Sequence, residues 1–161
     1  MKKINFIKHD TGGNNIGGDD EEWGMKPAHP RFAAHFTHPM YNDPANDWAP
    51  FGSDEAADVL AEWEERRDEL TSSTRLRDMY DSEEEWREAV AEIGTSPLDE
   101  DDEATWVVAQ AFTLLRLTGQ IDDEGKAAAL RGLDRLLQET SNGEEYVQQK
   151  RDLEAWKNES N

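Results

Sequence analysis

The chain predicts a mainly α-helical fold, a compact bundle of about five to six helices behind an irregular N-terminal third, with one short strand at most. Three observations predict it. Helix-start signatures recur at Ser53-Asp54-Glu55, Ser82-Glu83-Glu84-Glu85 and Ser141-Asn142-Gly143-Glu144. Apolar residues fall at helical spacing throughout the part that follows Ser53. Gly, Pro, Asn and Asp concentrate ahead of it, where they break regular structure. At 161 residues the chain reads as a single domain over 1–161, divided into a loop-rich part over 1–52 and an acidic helical bundle over 53–157.

Taken in order, residues 3–8 suit a short strand with Ile4, Phe6 and Lys8 on one side, and residues 10–24 a loop broken by Gly12-Gly13 and Gly17-Gly18. Pro27 to Phe36 suits a short helix opening near Pro30, because proline lacks an N–H that the first turn leaves unpaired anyway. Residues 37–52 read as an irregular connection pinned to the helices by Tyr41, Trp48 and Phe51. The stretch Trp48-Ala49-Pro50-Phe51-Gly52-Ser53-Asp54-Glu55 then joins an apolar knuckle to a helix start. Ser53 caps the first turn, and Asp54 and Glu55 favour the positive end of the helix dipole.

From Ser53 onward, Ala56, Val59, Leu60, Trp63, Arg67 and Leu70 share one helix face. Trp86, Ala89, Val90 and Ile93 form a second stripe that ends at Gly94. Ser96-Pro97-Leu98-Asp99 opens a third helix over about 98–118, apolar around most of its circumference and hence central. Gly119 stops it. Asp122 or Asp123 starts the next, with the stripe Ala127, Leu130, Leu133, Leu136 and Leu137. A capping box at Ser141 introduces Tyr146, Lys150, Leu153 and Trp156. Short connections make neighbouring helices antiparallel.

Composition narrows the chemistry. Hydrophobic residues make up 35% of the chain and mean hydropathy is −0.96, so a core must lean on the six tryptophans. There is no cysteine, which removes disulfides and thiolate zinc sites and fits a cytoplasmic setting. No run suits a signal peptide or a membrane span. Net charge is −20, of which residues 1–50 carry −2 and residues 51–161 carry −18. Direct binding to nucleic acid or an anionic membrane is therefore disfavoured, and a basic protein is the complementary partner.

Catalytic and metal signatures are weak. His29, His35 and His38 lie near Asp43 and Asp47, but intervals of six and three do not match the i, i+4 spacing of a helical zinc site. They remain the weak metal candidates, and neither metal nor cofactor is expected. An EF-hand loop begun at Asp99 would put Ala104 where glycine is required. No phosphate loop and no nucleophile elbow occurs, so no catalytic residue is assigned and an enzyme is not expected.

The order His29-Pro30-x-Phe32, then Tyr41, then Ala49-Pro50-Phe51-Gly52-Ser53-Asp54-Glu55-x-x-Asp58-x-Leu60 resembles the YfeS-like family of small bacterial proteins. Ala56-Ala57 stands where that family often has a glycine. The resemblance implies the architecture and a cytoplasmic setting, and it implies no activity.

The expected function is an acidic protein–protein interaction module that binds and neutralises a basic partner, foremost an immunity protein inhibiting a bacterial nuclease-type toxin. The expected contact residues are Glu62, Glu65, Glu69, Glu83, Glu84, Asp99, Asp101 and Asp102, with Trp48, Trp86 and Trp156 as partly exposed anchors. The alternatives are a DNA mimic that inhibits a nucleic-acid-binding protein, a small metal-dependent hydrolase using the His29/His35/His38 region, and a housekeeping module whose acidity serves solubility.

Overall fold

The computed structural model describes residues 25–95, 103–139 and 143–158. The strand expected at 3–8, the loop at 10–24 and the helix start at Ser96-Pro97 lie outside these residues. Among the described residues there are six α-helices, three short 3-10 helices and no strand, so the helical expectation is met.

Helix α1 spans Pro30–His35, with Pro30 in its first turn and His29 at its N-cap. The His29 Nδ1 accepts from the Arg31 N–H at 3.1 Å, doing the work of a capping serine. A 3-10 helix over Pro39–Asn42 is capped in the same way by His38. Turns carry the chain to Gly52, where a Cβ would collide with the Asn46 carbonyl, so only glycine permits the close approach. Phe51 and Tyr41 turn inward, as expected of the loop's anchors. Trp48 does not turn inward: it is 43% exposed, as expected of a partly exposed anchor, and meets Tyr146 edge-on.

Helix α2 spans Asp54–Glu65, and Ser53 Oγ accepts from the Ala56 N–H at 3.1 Å. It buries Ala56, Val59, Leu60 and Trp63, each worth about 1.5–3 kcal/mol for the larger side chains. The expected continuation of its stripe to Leu70 is corrected. Arg66 leaves helical geometry, and Arg67–Glu69 form a 3-10 turn instead. The Arg66 guanidinium lies over the Trp63 ring and pairs with Glu62 behind it and Glu69 ahead, which favours the tighter turn.

A third 3-10 helix spans Leu76–Met79. Helix α3 follows over Glu83–Glu92, with Ser82 accepting from the Glu85 N–H and Glu85 accepting in return from the Asp81 N–H. It buries Trp86, Ala89 and Ile93 against the core, and Gly94 follows with φ of 86°.

Helix α4, Glu103–Thr118, is the central element, buried on nearly every side and packed against the helices before and after it. It ends at Gly119, whose φ of 70° and contact with the His29 ring leave no room for a side chain. Helix α5 spans Asp123–Glu139. Its N-cap is Asp122, whose two oxygens are divided between the Gly125 N–H at 2.9 Å and the Leu76 N–H at 2.7 Å. Its inward face is Ala128, Ala129, Leu133 and Leu136, whereas Ala127 points to solvent, contrary to the expected stripe. Helix α6 spans Glu144–Ala155 and packs on α5. The expected capping box is corrected: Gly143 holds the N-cap without a side-chain bond, a loss that glycine's flexibility limits to a few tenths of a kcal/mol or about that. Ser141 and Asn142 lie outside the described residues.

Candidate acidic, aromatic-walled groove

The charge of the sequence becomes a shape where α2, α3 and α4 meet. Along α3, Glu85, Glu88 and Glu92 fall at i, i+3 and i+7, one step round the helix from the buried Trp86, Ala89 and Ile93. Along α4, Glu103, Trp106 and Gln110 fall at the same intervals. These two rows form the walls of a groove of about 510 Å³, lined also by Glu62 and Trp63 of α2 and by Arg66 just past its end, and floored by Met79 and Tyr80. The volume is within the range of pockets that hold a side chain or small ligand.

Among the described residues, six carboxylates, Glu62, Asp81, Glu85, Glu88, Glu92 and Glu103, line it against one cation, Arg66. Glu88 and Glu92 are exposed and have no side-chain partner among the described residues. Burial raises the Tyr80 hydroxyl above its ordinary pKa, and the negative charges of Glu103 and Glu85 push it further the same way. The Tyr80 hydroxyl and the Gln110 side-chain carbonyl are shielded from solvent and lack a hydrogen-bond partner among the described residues.

Arg66 shows what the groove does to a guanidinium. Its carbon lies 4.1 Å from the Trp63 ring centroid. Its Nη1 reaches Glu62 at 3.0 Å, while Nη2 and Nε reach the two oxygens of Glu69 at 2.9 and 3.2 Å. The fork to Glu69 raises the Arg66 pKa and lowers that of Glu69.

The residues expected to bind a partner are scattered by the fold. Glu62 lines the groove and Glu69 joins it through Arg66. Glu65 is exposed at the last position of α2, and Glu83 and Glu84 stand at the start of α3, where Glu83 pairs with Arg77 at 3.0 Å. Asp99, Asp101 and Asp102 lie outside the described residues. Trp48 borders a separate hollow of about 150 Å³ on another face of α4, lined by Thr105, Val108 and Ala109. The expected exposure of Trp86 and Trp156 is corrected, since they are 2% and 3% exposed. Trp86 donates its indole N–H to Glu124, and Trp156 stacks on Phe36 with its indole N–H on Asn158. An indole whose N–H finds a partner loses its reason to face water.

The sequence reading does not single out Tyr80, Glu88, Glu92, Trp106 or Gln110 as contact residues. The matching i, i+3, i+7 rows were the available signal, but nothing in either row says that the two face each other.

Arg116 was equally hidden among the apolar residues of α4. It is 1% exposed, and its guanidinium donates to the Tyr41 carbonyl at 3.0 Å, the Asn42 amide oxygen at 3.1 Å and the Lys26 carbonyl at 2.7 Å. It also lies against the rings of Phe32 and Phe51. Burial lowers its pKa, and the charge of Glu64 works in the other direction. The residues that carry the family resemblance thus converge on this buried cation: Phe32, Tyr41, Phe51, and His29 through its N–H to the Arg116 carbonyl at 2.8 Å.

The weak metal candidates are engaged elsewhere. His29 and His38 use Nδ1 as helix caps, and His35 donates Nε2–H to the Asp152 carbonyl at 2.7 Å. Among the described residues no three of His, Asp or Glu are grouped to hold a metal ion. No helix among them is long and apolar enough to cross a membrane.

No family model and no solved structure matches the chain. Over 44 residues it is 52% identical to a protein of Escherichia coli (strain K12) described as uncharacterized protein YfeS. That stretch is 26% of this chain and 18% of that protein, so the chain spans under a fifth of the relative's length. The resemblance to YfeS-like proteins is therefore real but local.

Proposed function

We propose that the protein is an interaction module that binds and neutralises a basic protein partner, foremost as an immunity protein against a nuclease-type bacterial toxin. The observation that carries this reading is the groove between α2, α3 and α4, where six carboxylates, the exposed Glu88 and Glu92 among them, share a lining with Trp63, Tyr80 and Trp106. Enzymes that hold phosphates do so with Lys and Arg surfaces, so an acidic groove competes directly for those side chains and accelerates encounter by electrostatic steering. Aromatic walls add the contact area on which binding energy concentrates.

The test is to purify any Lys/Arg-rich nuclease-type domain encoded beside this chain and assay its cleavage of plasmid DNA with increasing amounts of the protein. The reading expects cleavage to stop near equimolar protein. Undiminished cleavage in excess protein at low salt, with no complex by gel filtration, would overturn it for that partner.

A further inference from the structure

We propose that the groove is a receptor for an arginine side chain, and that it holds a partner's guanidinium between Trp106, Gln110 and the carboxylate row of α3. This deepens the preceding reading and rests on it. The chain carries its own precedent. In the groove lining Arg66 lies over the Trp63 ring while carboxylates on either side of it in sequence take its N–H groups. Elsewhere in the same lining an indole and carboxylates recur around Trp106. Trp106 is part-buried and has neither a ring nor a cation against it among the described residues. Glu103 and Gln110 flank it on α4, and Glu88 and Glu92 face it from α3.

Two atoms favour guanidinium over ammonium. The Gln110 carbonyl and the Tyr80 hydroxyl oxygen, on two residues that line the groove, are shielded from solvent and lack a hydrogen-bond partner among the described residues. An unpaired buried acceptor is costly, so a ligand that supplies an N–H removes a penalty already present in the free protein. The terminal torsion of glutamine is soft, so Gln110 can turn its oxygen into the groove. A planar fork with five donors reaches a carboxylate and an amide oxygen at once while stacking on an indole. A compact ammonium does not.

The experiment titrates the full chain with acetylated, amidated tetra-arginine and tetra-lysine peptides at low and at physiological salt. Calorimetry gives affinity, and the Trp106 indole N–H resonance, assigned with Trp106→Phe, gives location. The expected result is a preference for the arginine peptide of about tenfold, the worth of one good hydrogen bond, together with a shift of the Trp106 resonance. Gln110→Leu should bring arginine affinity down to the lysine level and leave lysine binding unchanged. Glu88→Gln with Glu92→Gln should weaken both peptides. Circular dichroism confirms that each variant is folded, and Tyr80→Phe serves as a second, near-isosteric probe of the floor if Gln110→Leu is not. Equal affinity for both peptides, falling together with salt, overturns the arginine receptor and leaves the acidic docking face standing. An arginine preference untouched by the Gln110 and Tyr80 variants places it elsewhere on the surface and also overturns the receptor. No binding of either peptide at low salt overturns both readings.

Discussion

Replacing Arg116 with methionine should destabilise the protein by about 2–4 kcal/mol, and the loss should be concentrated in the loop-rich part. The side chains are similar in length, so packing contributes little, roughly under 1.5 kcal/mol for a swap that nearly conserves volume. The three donated bonds matter more. Hydrogen bonds from a charged group are worth about 1.5–3 kcal/mol each, and two of the acceptors here are backbone carbonyls, of Tyr41 and Lys26. Working against that loss, methionine relieves the several kcal/mol or so that a buried cation costs. The partial cancellation gives the stated figure. Arg116→Lys should lose less, since it keeps the charge but cannot fork to all three acceptors. Urea unfolding followed by tryptophan fluorescence measures the total, and amide exchange over residues 26–52 measures where it falls. A methionine variant within about 0.5 kcal/mol of the parent, the range of neutral surface changes, with unchanged exchange in that segment, would refute the assignment of Arg116 as the tie between loop and bundle.

Further expectations follow from single residues. Asp122→Ala removes both the α5 cap and the tether to Leu76, and should cost about 2–3 kcal/mol by urea midpoint, more than a lone cap. Trp86→Ala should cost about 3–5 kcal/mol, whereas Trp48→Ala should cost under about 1, which checks that the first is buried and the second exposed. Glu64 supplies a pH signature. Burial raises its pKa above the ordinary 4.5, with Lys26, Arg116 and Arg67 opposing. The folded state then holds this proton more tightly than the unfolded state, so stability falls as pH rises from 4.5 through the folded value. Glu64→Gln should flatten that decline, and parallel urea midpoints for parent and variant across the window would contradict it.

The legible and illegible parts of this chain divide along a physical line. Ser53 and Ser82 were readable because a cap acts on N–H groups two or three residues away, and the stripe Ala56, Val59, Leu60, Trp63 because helical spacing fixes its face. Local geometry also explains Gly94 and Gly119. What escaped depends on distant chain. Arg116 finds its acceptors some seventy-five to ninety positions earlier. Trp86 is buried with its N–H on Glu124, thirty-eight positions later, while Trp48 stays partly exposed and meets Tyr146 from α6. The groove itself needs three helices and a 3-10 turn to converge. The acidic field was evident from composition, but its concave, aromatic-walled part was not.

The central claim is that this groove is the docking face for a basic partner, and the association rate with a Lys/Arg-rich nuclease-type domain, should one be encoded beside this chain, tests it most directly. Stopped-flow rates should fall steeply between low and physiological salt. Glu88→Gln with Glu92→Gln should slow association at low salt by a factor on the order of ten, and the two curves should converge as salt screens the field. A control pair on α6, Glu144→Gln with Glu145→Gln, should leave the rate within a factor of about two, the effect of net charge alone. Equal slowing by both pairs, or no slowing by the groove pair, would contradict the claim.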